Sequence, residues 1–166
     1  MKVVVTDVSV FFDLFEIQVL PEFFALDWEI HTTDFVYNEI LQADQKEVFE
    51  VFERSKKLKI LNFSSEEEAI VRNLKTRLTI RSIADKTILW KALQLKATLL
   101  TCDKKLRKEA EGHSIEAKGS IWVIEQLVGN GIINSTRGIS LLDQLKMTNN
   151  SLPFDLIDKL IRKWKE

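Results

Sequence analysis

The stretch KVVVTDVSVFFDLF, residues 2–15, decides how the rest of the chain is read. Its first half is an apolar, β-branched run, Val3–Thr6, that reads as a central strand. Its second half, Val8–Phe15, sets Val8, Phe11, Phe12 and Phe15 on one face of a helix. Asp7 stands at the junction. A strand passing straight into a helix is the unit of an α/β domain, and open parallel sheets build their sites where strands end. Asp7 is therefore expected at the carboxyl edge of a central strand.

Outward from that unit, four more short runs, Trp28–Thr32, Leu58–Phe63, Ala97–Thr101 and Ser114–Ala117, alternate with stretches of helical period. The alternation predicts a mostly parallel sheet covered by helices. Apolar residues at Phe35, Val36, Ile40, Val48, Val51 and Phe52 predict helix across Phe35–Leu58. Ser64 and Ser65 each precede a glutamate by three positions, a capping pattern that opens the helix carrying Ile70, Val71 and Leu74. A further helix runs from near Ser82 to about Lys96. Another follows Gly119 and stops at the Gly129-Asn130-Gly131 turn. Two last helices are expected over 138–148 and 153–165, the second opening at Pro153, where a missing N–H costs nothing. Its stripe of Leu156, Ile157, Leu160, Ile161 and Trp164 needs a surface to cover it, either the sheet's outer face or a partner chain.

A chain of 166 residues, 45% of them apolar, supports one core. It contains no run of eighteen apolar residues and opens without the basic start of a signal peptide, so the expectation is a cytoplasmic protein with no membrane segment. Cys102 is alone and cannot form an internal disulfide, and with only His31 and His113 beside it no zinc site of thiolate and imidazole can assemble. Any bound metal must be held by oxygen. Five glycines supply no phosphate-cradling loop after the first strand, Asp7 lacks the adjacent acid of a phospho-acceptor domain, and neither histidine has a nucleophile at a recognisable spacing. The charges are unevenly distributed. Residues 1–53 carry twelve acidic and two basic side chains, whereas the remainder carries thirteen acidic and twenty-two basic ones. This suits an acidic site beside a surface for a phosphate backbone, or simply helices of differing composition.

Four acids are candidates for one cluster. Asp103 follows Ala97–Thr101 by one residue and so leaves the sheet at the same edge as Asp7; each alone also reads as a turn former. Glu39 lies three residues after Val36 and four after Phe35, on or beside a buried stripe where a solvated glutamate would not sit. Asp85 lies three before Ile88 and four before Leu89, and three after Ser82, where a helix cap with a first-turn acid is the plain reading. The cap and the site are compatible. Two like charges about 4 Å apart repel by roughly 4 kcal/mol at an effective dielectric near 20, so such a cluster calls for protons or a cation. Hard oxygen ligands select Mg²⁺ or Mn²⁺, which activate water toward a phosphodiester without a side-chain nucleophile.

Taken in order and spacing, VTDVSVFF, VYNEI, SIADKTILWKAL and ATLLTCDKKLRKEA resemble the acidic motifs of the PIN-domain nucleases, the group that includes the VapC-like toxins. The resemblance spans about residues 3–128. The rest, 129–166, resembles the helical C-terminal extension of some subfamilies, packed on the same domain. It implies a three-layer α/β/α sandwich around a mostly parallel five-stranded sheet. It also implies metal-dependent endoribonuclease activity, with Asp7, Glu39, Asp85 and Asp103 as catalytic residues and as ligands of Mg²⁺ or Mn²⁺. Ser9, Ser82 and Thr101 fall where such proteins place hydroxyls that orient the acids, and they read equally as caps and strand-end hydrogen bonds. Arg81, Lys104, Lys105 and Arg107 flank the acids and are the candidates for gripping RNA phosphates, with ordinary solvation as the alternative. The resemblance further implies a homodimer and, for a toxin, an antitoxin partner. The competing function is an inactive PIN-like scaffold that binds RNA or protein; the presence of all four acids argues against it.

Overall fold

The computed structural model describes residues 1–166. Five strands, β1 (Lys2–Thr6), β2 (Trp28–Thr33), β3 (Leu58–Leu61), β4 (Thr98–Leu100) and β5 (Ala117–Lys118), form one sheet in the order β3-β2-β1-β4-β5. Every neighbouring pair is parallel, so the sheet is wholly rather than mostly so. The winding reverses between β1 and β4. That is the topological switch point at which doubly wound sheets open a crevice.

Because successive strand residues face opposite ways, the central strands feed two cores. Val4, Ile30 and Leu100 join the larger one with α1 (Val8–Glu16), α2 (Leu20–Phe24), α4 (Ala43–Arg54) and α8 (Ser120–Gly129). Val5 and Leu99 join the smaller one with α3 (Asp34–Tyr37), α6 (Ile83–Leu95) and α7 (Lys104–Gly112). A short α5 (Ser65–Arg72) lies against α6, its start capped by Ser64 as predicted. The expected α/β/α layering is therefore present.

The single helix expected over Phe35–Leu58 does not form. Val36 belongs to the smaller core and Ile40 to the larger one, on opposite faces of the sheet. A straight helix cannot serve both, so the chain leaves α3 at Asn38, crosses the sheet's edge and begins α4 at Ala43. Glu39 lies on this crossing, in a turn rather than on a helical stripe. The third strand ends at Leu61, short of Phe63, and the last is displaced to Ala117–Lys118, the residues that stand in register with Leu99 and Leu100 of β4. Ser114 instead takes a left-handed turn (φ 61°).

The C-terminal extension consists of α9 (Ser135–Thr148) and α10 (Phe154–Lys165). Leu141, Leu142 and Leu145 of α9 and Ile157, Leu160 and Ile161 of α10 are part of the larger core. The α10 stripe is covered within the chain by α9, which lies on α8 and α1; Leu156 alone stays about half exposed, at 47%. Gly138 makes the close fit of α9 possible, because a Cβ there would stand 2.6 Å from Val128 and 2.8 Å from Trp164. No helix is long and apolar enough to cross a membrane.

Candidate acidic metal centre at the sheet edge

Asp7 ends β1 and caps α1. Its Oδ1 accepts the Val8 amide at 2.7 Å, and its Oδ2 accepts the hydroxyls of Thr101 at 2.8 Å and Ser9 at 3.1 Å. Its own N–H donates to Leu100 O of β4, locking it beside the switch point. Burial pushes the Asp7 carboxyl up, the three hydrogen bonds pull it down, and the Asp103 charge adds to the rise, leaving it above its ordinary value. Asp103 follows β4 and caps α7, with Oδ1 accepting the Leu106 amide at 2.9 Å. The two strand-end acids therefore converge as expected, and Thr101 ties them together, because its hydroxyl also accepts the Asp103 amide.

Asp85 enters in the first turn of α6, on the same face of the sheet as α7, and donates its amide to the Ser82 cap at 3.3 Å. Burial, then the charges of Asp7, Asp103 and Glu39, push its carboxyl up to about 7. Glu39 is exposed on the crossing turn, and its carboxyl is also raised, by partial loss of water and then by Asp7. The fold thus brings the other three predicted acids within electrostatic reach of Asp7. None of the four forms an ion pair with a basic side chain.

No three of these side chains close into a ready-made chelate. An open set of this kind suits a hard ion that retains waters and takes only one or two carboxylates at a time. The donor chemistry agrees. Cys102, though adjacent to Asp103, turns its sulfur to Asp13 and Ser120, and burial with the Asp13 charge pushes the thiol up to about 11. His31 pairs with Glu29 and His113 with Glu109, so neither histidine joins the acids. Oxygen is the only donor the edge presents, and its mutual repulsion is what a divalent cation relieves.

Of the three predicted hydroxyls, Ser9 and Thr101 orient Asp7 and Ser82 caps α6. Lys104, Lys105 and Arg81 are exposed at the starts of α7 and α6 and lack acidic partners. Arg107 turns inward: Nη2 donates to Thr101 O at 3.1 Å, over Gly119, where a Cβ would come within 2.7 Å of the guanidinium. Two arrangements escaped the sequence reading. Thr33 Oγ1 meets Thr87 Oγ1 at 2.8 Å, binding the end of β2 to the helix of Asp85. Glu109, 2% exposed, accepts the Arg77 amide at 2.9 Å and the Leu78 amide at 3.0 Å, holding the segment before Ser82 against α7. A glutamate between Leu106 and Ala110 on a buried face was a visible signal for the second.

An all-parallel sheet with carboxylates gathered at its switch point defines an α/β domain with an acidic site at its carboxyl edge. The family model DUF3368, described as a PIN domain, matches residues 3–166, and the chain belongs to that family. PIN domains are generally nucleases and typically use divalent metals. The match continues through α9 and α10. None of the curated proteins matches the chain. Among solved structures, a PilT N-terminus domain protein from the archaeon Sulfolobus solfataricus P2 is similar in fold. It has a TM-score of 0.55 and 13% identity, over 76% of this chain and 94% of that one. A domain of a functionally unknown protein from Methanocaldococcus jannaschii DSM 2661 aligns over 70% of this chain and 89% of its own, at 20% identity and a TM-score of 0.44.

Proposed function

We propose that the chain is a Mg²⁺- or Mn²⁺-dependent endoribonuclease that hydrolyses phosphodiester bonds at the edge formed by Asp7, Glu39, Asp85 and Asp103. The observation that carries this reading is the convergence of four carboxylates from four separate segments with no basic partner among them. Such a cluster is unfavourable in the empty fold, and a bound cation would relieve its repulsion. A bound divalent ion would supply Lewis acidity and neutralise charge building on the phosphate. Asp7 and Asp103 are the natural primary ligands, fixed by Ser9, Thr101 and the Leu106 amide, while Asp85 and Glu39 add charge from α6 and the crossing turn. Lys104, Lys105 and Arg81 would hold the backbone phosphates on either flank. The choice of RNA rests on the likeness of the four acidic motifs to those of PIN-domain ribonucleases.

The test is cleavage of a mixed RNA pool by the purified chain with Mn²⁺ or Mg²⁺, beside a matched single-stranded DNA pool. Wild type is expected to cut RNA only when metal is present, and Asp7→Asn and Asp103→Asn are expected to fall to background. Equal behaviour of wild type and both variants would sink the proposal.

A further inference from the structure

A second buried carboxylate lies behind the acidic edge. Asp13 of α1 is 8% exposed and forms no ion pair. Its needs are met by neutral donors from three distant segments. Ser120, the first residue of α8, donates its hydroxyl at 2.7 Å, and the Cys102 thiol lies at 3.3 Å from the same oxygen. Asn149, the residue closing α9, brings its side-chain amide to 3.1 and 3.2 Å from the two oxygens. Asp13 also meets the start of α8, which has no side-chain cap of its own, where a negative charge is favourable.

The joint leads directly to the site. Cys102 sits between Thr101 and Asp103, and its amide donates to Ser9 Oγ at 3.1 Å, the same hydroxyl that donates to Asp7 Oδ2. A displaced Cys102 would carry with it the Thr101 hydroxyl and the Asp103 carboxylate. Buried hydrogen bonds to a charged group are strong and directional, which gives this joint the stiffness to set a side chain two links away.

We propose that Asp13, closed by Asn149 of the C-terminal extension, is a positioning residue for the acidic centre, and that the extension is thereby a working part of the site. The proposal rests on the reading of that edge as a metal centre. It predicts that the polar closure matters to metal binding more than to folding, since outer partners of metal ligands typically change affinity by about 10- to 100-fold.

The test uses the full chain and four proteins: wild type, Asp13→Asn, Asn149→Asp and the reciprocal double variant, in which donor and acceptor trade places across the pair. Two quantities are measured below the melting temperature of all four: the Mn²⁺ dissociation constant by calorimetry, and hydrogen exchange of the Cys102 amide in metal-free protein. Each single variant is expected to raise the dissociation constant by about 10-fold and to accelerate Cys102 exchange, with both restored in the double variant. Unchanged Cys102 exchange in the single variants overturns the proposal, as does an altered exchange that leaves Mn²⁺ affinity untouched. If wild type binds no Mn²⁺ at all, the metal-centre reading fails; a Cys102 amide that still loosens and recovers then supports the joint by itself.

Discussion

The Thr101 hydroxyl donates to Asp7 Oδ2 at 2.8 Å across 94 residues of sequence. This contact carries the carboxyl end of β4 onto the carboxyl end of β1, and Thr101 Oγ1 in turn accepts the Asp103 amide. Thr101→Val keeps the shape and removes both bonds. It is expected to cost about 1–3 kcal/mol of stability. Mn²⁺ affinity should fall by roughly 10- to 100-fold. Calorimetric titration beside a thermal melt separates the two effects, and unaltered affinity would show that Thr101 only completes the strand.

Asp85 supplies a pH signature for the metal-free chain. Its folded value of about 7 lies above the ordinary 3.8, so the folded state retains a proton that the unfolded state has released. The sign follows: the associated stability is present below about pH 4 and is lost as pH rises toward 7. Asp85→Asn in chelator should therefore melt higher than wild type at pH 8 and lose that advantage at pH 4. Added Mn²⁺ should raise the wild-type melting temperature more at pH 8 than at pH 5. A variant that melts lower at pH 8 contradicts the repulsion.

Glu109 behaves in the opposite sense. Burial pushes its carboxyl up, but the amides of Leu78 and Arg77, with His113, outweigh burial and hold it below the usual value of 4.5. Its contribution is present above about pH 4.5 and disappears as pH falls through the depressed value. Glu109→Gln leaves one of the two backbone amides facing an N–H₂ group. It should destabilise the chain by about 1–3 kcal/mol at neutral pH, with the gap to wild type narrowing below pH 4 in chemical denaturation.

Gly138→Ala tests whether α9 and α10 are integral to the core. The added Cβ meets Val128 and Trp164 at less than 3 Å, neither of them a flexible chain end. Overpacking of this kind typically costs about 1–3 kcal/mol, near 2–4 °C in melting temperature per kcal/mol at this size. One cooperative transition shifted downward is the expected melt; an unshifted melt would mean that the extension detaches from the core at little cost.

Much of this was legible in the chain itself. The abrupt junctions Thr6-Asp7 and Cys102-Asp103 gave strand ends and a shared edge, because the period of apolar residues changes there from strand to helix, whereas the helix caps that both acids form emerged only in the structure. Ser82 and Asp85 were equally readable as a helix start. Glu39 was located for a reason that did not hold: its apolar neighbours are buried, but on opposite faces of the sheet, so the turn between α3 and α4 places it at the edge. The Arg107 side chain, a candidate for gripping RNA phosphates with solvation as the alternative, is drawn in by Thr101 O and the bare Cα of Gly119.

The sequence alone determined the alternation of elements, the absence of a soft-metal site, and the acids that end β1 and β4, since these depend on local periodicity and residue chemistry. Only the tertiary structure decided that Glu39 comes within electrostatic reach of Asp7, that Thr101 and Ser9 share one oxygen of that carboxylate, and that Asp13 joins Asn149 of the extension to the loop of Asp103. The bond from Asn149 spans 136 residues. Contacts at such separation are set by how two cores pack on the faces of one twisted sheet, and no window of neighbouring residues encodes them.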